Sequence, residues 1–434
     1  MREGSLFIKG GNCLMNEYIV GIDIGSSKIC AAVGKIDKQG ELQIVGVTSV
    51  ECTGLKKGAV VDIDGTSEAI KRCLEQLERM VDIKINNAYI SLPGGTCELV
   101  YSKGVIAVSS EDREIKKNDV ERVHKAAKII SLPSDKEIIG IIPMQYIVDG
   151  YDNIKDALGM SGIRLEVDAQ LVVAQTTVVN NFYKSVNKSG IKVAGVVLQP
   201  LALSQVVLKR EETKMCVALV DVGSETTDIA IYKDGNLCFT TMIPLGGSII
   251  TNDVAVCLKI PFSKAEKLKV QHGCIAKTAK VLEESIKVIG SYNDIIEVDT
   301  STLSQIIEAR VEELLILVNN KLLDSNYYEE ISGIVIVGGG ISLIKGINEF
   351  SKEILKKSVR IGSPEYVGAS NPMFAVAVGI VKEVTMNCKA FSEEVQANES
   401  VACSKVNKYE SDNYEDDEQK NIITKMKEFF TDFF

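Results

Sequence analysis

Two short segments carry the residue types that hold a phosphate chain. Asp23-Ile24-Gly25-Ser26-Ser27 closes the apolar run Tyr18 to Ile24, and Asp221-Val222-Gly223-Ser224-Glu225-Thr226-Thr227-Asp228 closes the β-branched run Val217 to Val222. Small residues let backbone N–H groups approach a phosphate, and a carboxylate beside them positions Mg2+ through its waters. Each segment supplies one half of such a site; either alone reads equally well as a hairpin with a capping aspartate. A third turn, Gly338-Gly339-Gly340, follows the apolar run Ile334 to Val337 and precedes a helix expected to start near Leu343, which would open against a purine and ribose. None of the three turns contains the dinucleotide pattern G-x-G-x-x-G, and none is a Walker loop ending in Gly-Lys-Ser/Thr.

The elements that must position these residues repeat. The first aspartate turn is followed by apolar runs Lys28 to Gly34 and Leu42 to Val50, the second by Ile229 to Tyr232, Asp234-Gly235 and Cys238 to Ile243. Two copies of strand, tight turn, strand, strand imply a duplicated α/β core. Helical periodicity marks Thr66 to Val81, Asp119 to Ile130, Gln175 to Ser189, Ser263 to His272 and Leu303 to Leu323, the first with Gly65-Thr66 placed as its cap. Asn86 to Val167 is β-rich at its ends with one helix between and lacks both aspartate turns, so it reads as an inserted domain. Periodicity fades after Val384 and returns at Lys420.

A chain of 434 residues, 45% hydrophobic and 25% charged, is globular and long enough for two to four domains. The net charge of −10 argues against nucleic acid as the main partner. It is also unevenly spread: Phe391 to Gln419 holds nine acids against two lysines, the composition of a disordered linker. Eleven scattered cysteines without a C-x-x-C pair, and only two histidines, make a zinc site unexpected and point to thiols in a reducing cytoplasm. No apolar run approaches the roughly 18 residues of a bilayer span, and the N-terminus lacks a signal-peptide core. Met1 to Leu14 reads as an extension before a second candidate start at Met15.

Beyond the acidic stretch, helical spacing gathers Ile422, Ile423, Met426, Phe429, Phe430, Phe433 and Phe434 within an arc of about 140°. Lys420, Lys425 and Lys427 sit at its rims, where they can reach phospholipid headgroups. Such a helix either docks on its own domain or inserts at a membrane surface, and the acidic spacer that detaches it from the core favours the membrane.

The segments "GIDIGSSKI", "VALVDVGSETTDIAIYKDG", "IPLGGSIITNDVA", "AEKLKVQHG" and "IVIVGGGISLIKGI" resemble the actin-like ATPase superfamily and, within it, the FtsA family of bacterial cell division. The resemblance runs from about Tyr18 to Val381. It implies an actin-like duplicated ribonuclease-H-like core with an FtsA-type inserted subdomain, IC. It divides the chain into an extension (1–14), subdomain IA (15–85, 168–200 and 366–387), IC (86–167), IIA (201–245 and 313–365), IIB (246–312), an acidic linker (388–419) and a membrane-targeting helix (420–434). The implied cofactors are ATP and Mg2+. Asp23 and Asp221 would hold the ion's hydration shell; Gly25, Ser26, Ser27, Lys28, Gly223, Thr226 and Thr227 would contact phosphates, and Gly338, Gly339 and Gly340 would line the adenosine. Glu266 and Lys269 fall where relatives touch ribose or adenine, or else form a plain i, i+3 ion pair. The implied partners are the C-terminal peptide of the tubulin-like protein FtsZ, further copies of the chain in filaments, and phospholipid, on the cytoplasmic side of the membrane at the division site.

Three positions leave alternatives open. Gln199 stands where relatives orient the attacking water; a neutral amide is a poor general base, so slow hydrolysis is expected. Glu225 replaces part of the family's usual glycine run and would either repel the γ-phosphate or face solvent. Arg310 matches a family arginine that contacts the partner peptide, or it pairs within its own helix with Glu313 or Glu308. The competing functions are a scaffold for another membrane machine, such as a pilus or sporulation assembly, and a small-molecule kinase of the same superfamily.

Overall fold

The computed structural model describes residues 18–37, 39–278, 285–290 and 295–387. Two five-stranded sheets dominate it. In the first, Lys192–Leu198, Asn87–Leu92 and Ile19–Ile24 run parallel, and Lys28–Ile36 and Leu42–Glu51 continue as an antiparallel meander. In the second, Val359–Ile361, Gly333–Val337 and Cys216–Val222 run parallel, followed by the meander Thr227–Lys233 and Asn236–Ile243. The order and directions are identical. Even a register shift recurs, at Val33/Gly34 in one meander and Ile231/Tyr232 in the other, at the same distance from each aspartate. This is the duplicated α/β core expected from the paired turns, in the ribonuclease-H-like form that the resemblance implies.

Helices cover these sheets because their apolar residues recur on one face. Ile63–Val81 buries Ala69, Ile70, Cys73, Leu74 and Leu77. Its cap differs from the expected Gly65-Thr66: Asp62 is the N-cap, and its carboxylate accepts the Gly65 N–H at 3.0 Å. Aspartate satisfies an orphan donor that glycine has no side chain to reach. In the second half, Val220, Ile231, Ile336, Val254, Leu268, Ile307 and Val311 belong to one continuous core. The helix Thr300–Leu323 crosses the expected boundary at residues 312 and 313 without a break.

The inserted segment differs from its sequence boundaries at both ends. Asn87–Leu92, placed in the insert by local pattern, is a strand of the first sheet between Ile19–Ile24 and Lys192–Leu198. The insert's own sheet has the order Cys97–Ala107, Arg164–Gln175, Lys136–Val148, Tyr151–Ile154, so its second strand runs well past Val167. One helix, Lys117–Ala127, packs on it over a separate core of Val123, Ile141, Leu165, Leu171 and Val173. A parallel strand closes by a long crossover, which local periodicity does not reveal. Among the described residues no helix is long and apolar enough to cross a membrane.

Candidate functional site

The two hairpin turns face one cleft. In the first, the Gly25 N–H donates to Lys28 O at 3.0 Å; in the second, the Gly223 N–H donates to Thr226 O at 2.9 Å. Asp23 lies opposite Cys30 across the first antiparallel pair, and Asp221 lies opposite Asp228 across the second. Residues directly opposite project from the same face of a sheet. Asp23, Cys30, Asp221 and Asp228 accordingly all line the cleft, with Gly25, Ser26, Ser27, Lys28, Gly223 and Thr226 around them. Thr227 does not. Its side chain is fully buried and donates to Leu245 O at 2.9 Å, because adjacent strand residues point to opposite faces. The expected phosphate contact at Thr227 is therefore a structural hydrogen bond beneath the turn.

The triple-glycine turn closes the second half of the cleft. Gly338 has φ of +93°, and a Cβ there would lie 2.3 Å from Asp221 Oδ1. A Cβ on Gly340 would lie 2.5 Å from Gly223 O, and its N–H donates to Val222 O at 2.8 Å. Glycine is required because backbone meets backbone and carboxylate here. The helix expected near Leu343 instead starts at Ile347, after a further turn that ends in Gly346.

A second helix was not read as part of the site. Gly247–Leu258 directs its N-terminus into the cleft through Gly247 and Ser248, held by Gly247 N–H to Gly223 O at 2.9 Å and Ser248 N–H to Ser224 O at 2.8 Å. Those N–H groups are taken up by the turn carbonyls, so what the helix offers an anion at that end is its dipole. Beside it, Lys269 is 4% exposed and donates to Gly247 O at 3.0 Å, Thr251 Oγ1 at 2.9 Å and Glu266 Oε2 at 2.8 Å. Burial lowers the Lys269 pKa, opposed by the Glu266 charge. The i, i+3 pair is therefore real, and both of its members line the cleft.

The carboxylates repel one another. Burial, then Asp228 and Asp23, push Asp221 up to about 8. Burial raises Asp23 to about 6 against the Ser91 hydroxyl, which donates to it at 2.8 Å, with Asp228 adding to the rise. Asp228 is likewise raised to about 6 by burial, opposed by the Gly95 N–H at 2.9 Å and the Thr226 hydroxyl. Asp228 was missed as a site residue; counting the register from Asp221 across the turn would have found it. Gln199 begins the helix Gln199–Val207, and its Nε2 donates to Asp221 Oδ2 at 3.2 Å.

Three buried, mutually repelling oxygen-donor groups fit a hard divalent cation. Among the described residues no three His, Cys, Asp or Glu side chains converge closely enough to hold one directly. Water-mediated contact suits Mg2+, which keeps much of its hydration shell.

Outside the cleft, Arg310 of Thr300–Leu323 donates from Nε to Asp253 on the neighbouring helix and from its terminal nitrogen to Glu313. Glu308 is engaged elsewhere, accepting the Lys277 N–H at 3.1 Å. The seven apolar residues Ile422 to Phe434 lie outside the described residues.

A family profile described as Cell division protein FtsA matches residues 218–379, and one described as the SHS2 domain inserted in FtsA matches residues 94–173. Cell division protein FtsA of Bacillus subtilis (strain 168) is 36% identical over 378 residues, covering 86% of this chain and 85% of that protein. The Escherichia coli (strain K12) FtsA is 31% identical over 395 residues, covering 87% and 93%. Among solved structures, a PilM–PilN type IV pilus biogenesis complex aligns with a TM-score of 0.59 at 15% identity, covering 85% of this chain and 98% of that one. MreB5 of Spiroplasma citri bound to ADP aligns with a TM-score of 0.51 at 13% identity, covering 88% and 99%. These distant structural likenesses establish the actin-like fold, and the sequence relatives establish more: the chain belongs to the FtsA family of cell-division proteins.

Proposed function

We propose that this chain binds Mg2+-ATP between its two halves, assembles into filaments, and tethers FtsZ to the cytoplasmic face of the membrane at the division site. The observation that carries the reading is the convergence of two equivalent aspartate turns and the Gly338–Gly340 turn on one cleft. When bound, Mg2+ would supply charge neutralisation for the phosphates and for Asp23, Asp221 and Asp228. The chain's own residues then divide the work. Backbone N–H groups of both turns donate to phosphate oxygens, and the dipole of the helix starting at Gly247 favours their charge. Gly338, Gly339 and Gly340 give the adenosine a surface without side chains, beside Glu266 and Lys269. Gln199, already hydrogen-bonded to Asp221, orients a water but does not take its proton.

Slow turnover follows from that amide. A phosphate-release assay giving about 1 per second or more, the low end of ordinary enzymes, would contradict it. Membrane attachment is assigned to Ile422, Ile423, Met426, Phe429, Phe430, Phe433 and Phe434, and partner-peptide binding to the region around Arg310. Single helices of this kind bind reversibly, and a filament presenting many copies binds far more tightly because each later contact is intramolecular. Phe430→Glu should abolish co-sedimentation with anionic liposomes while leaving nucleotide binding intact. Pull-down by an FtsZ C-terminal peptide tests the partner, and failure of the wild-type chain to be retained would remove that assignment.

A further inference from the structure

We propose that Glu225 makes the cleft discriminate against a terminal phosphate, weakening nucleoside triphosphate relative to diphosphate. The inference rests on the nucleotide reading above and deepens it. Glu225 stands in the second phosphate turn, whose backbone is fixed on both sides: Ser224 O accepts the Ser248 N–H at 2.8 Å, and Thr226 O accepts the Gly223 N–H at 2.9 Å. From there the side chain reaches toward the first half, in a hydrogen bond that is open to solvent. The residue is half-buried and crosses the cleft, its Oε2 accepting the Lys57 N–H at 2.8 Å.

Lys57 lies in the small hairpin formed by Leu55–Lys56 and Ala59–Val60. That hairpin leaves Cys52, whose N–H donates to Ser27 O in the first phosphate turn at 3.0 Å. The Glu225 carboxylate thus spans from one phosphate turn to a strap anchored on the other. It is an anion of the protein's own, set where both turns converge.

The electrostatic surroundings give this placement a sign. The cleft is lined by the carboxylates of Asp23, Asp221, Asp228, Glu225 and Glu266, against the ammonium groups of Lys28 and Lys269. Lys269 is occupied by Glu266 at the nucleoside end. Each added phosphate brings negative charge toward the turns, and the last one meets the Glu225 carboxylate, which belongs to one turn and reaches across to the other half. Like charges a few ångströms apart in a partly screened cleft change an affinity by about an order of magnitude. Glu225 also links the two halves, so a phosphate that displaces it must break the Lys57 hydrogen bond as well.

The test is isothermal titration of the full chain, in Mg2+, with ADP and with the non-hydrolysable triphosphate AMPPNP, for wild type, Glu225→Gln and Glu225→Gly. The glutamine keeps an acceptor for Lys57 and removes only charge, which keeps the proposal testable if the glycine variant loosens the turn. In both variants the AMPPNP-to-ADP affinity ratio should rise about tenfold, and the rise should shrink at high salt. An unchanged ratio, or equal changes for both nucleotides, overturns the proposal while leaving nucleotide binding in place. A wild-type chain that binds neither nucleotide overturns the nucleotide reading itself.

Discussion

The two halves of the molecule carry the same hairpin and use it differently. Each turn closes with the same glycine-to-carbonyl hydrogen bond, and each places an aspartate at the end of its first strand. Where the first hairpin puts Lys28, Ile29 and Cys30, the second puts Thr226, Thr227 and Asp228. One half thus contributes a cation and a thiol beside its aspartate, the other a hydroxyl and a second carboxylate. The duplicated backbone fixes where the side chains point, and substitution at equivalent register positions makes one half the more anionic. Among the described residues the carboxylate pKa raised furthest, to about 8 at Asp221, belongs to that half.

Several changes would break or sharpen this asymmetry. The largest effect is expected from Gly338→Ala. Its φ of +93° and a Cβ only 2.3 Å from Asp221 Oδ1 force the second turn to move, and a displacement near 1 Å should cost about 100-fold in Mg2+-nucleotide affinity by calorimetry. The glycine of the first aspartate turn meets no carboxylate in this way. Gly25→Ala, whose nearest contact is Lys28 O at 2.9 Å, should cost less.

Asp221→Asn comes next. The folded pKa of Asp221 lies above the ordinary carboxylate value near 4, so the folded state holds a proton that the unfolded chain has lost. Stability of the nucleotide-free protein should therefore fall as pH rises from about 4 to about 8. The asparagine variant should flatten that profile and gain about 1–3 kcal/mol at pH 8, a rise of several degrees in Tm. It should lose Mg2+-dependent nucleotide affinity at the same time. Asp23→Asn should do the same over a narrower window ending near pH 6, since Asp23 is raised only to about 6.

Copying the second half into the first provides a smaller test. Cys30→Asp adds a further carboxylate at a position 4% exposed, beside Asp23, and should destabilise the nucleotide-free protein at pH 8 by about 1–2 kcal/mol in thermal melts. Mg2+ with nucleotide should restore part of the loss. The smallest effect is expected at Thr227→Val, which removes the hydroxyl donated to Leu245 O and should cost about 1 kcal/mol of stability with nucleotide affinity unchanged.

The contrast also shows which parts of the molecule a sequence discloses. Asp23, Asp221 and Gly338 stood out because each belongs to a short contiguous motif whose chemistry is local. Thr227 was misassigned and Asp228 overlooked for one reason: strand alternation and cross-strand register decide which side chains enter the cleft, and neither is visible in a list of residue types. Asn87–Leu92 went to the wrong sheet because its partners, Ile19–Ile24 and Lys192–Leu198, are distant in sequence. The Glu225 to Lys57 hydrogen bond joins residues far apart in the chain, so the direction in which that side chain extends is not visible in the local sequence.

The central claim is that the two unequal turns bind one Mg2+-nucleotide between them. It is tested most directly by titrating ATP into the wild-type chain at pH 8 with Mg2+ and again with EDTA, in parallel with Asp221→Asn. The account predicts one site per chain, an affinity at least about tenfold weaker in EDTA, and little difference between the two conditions in the variant. Binding that ignores Mg2+ in the wild type, or no binding at all, would contradict it.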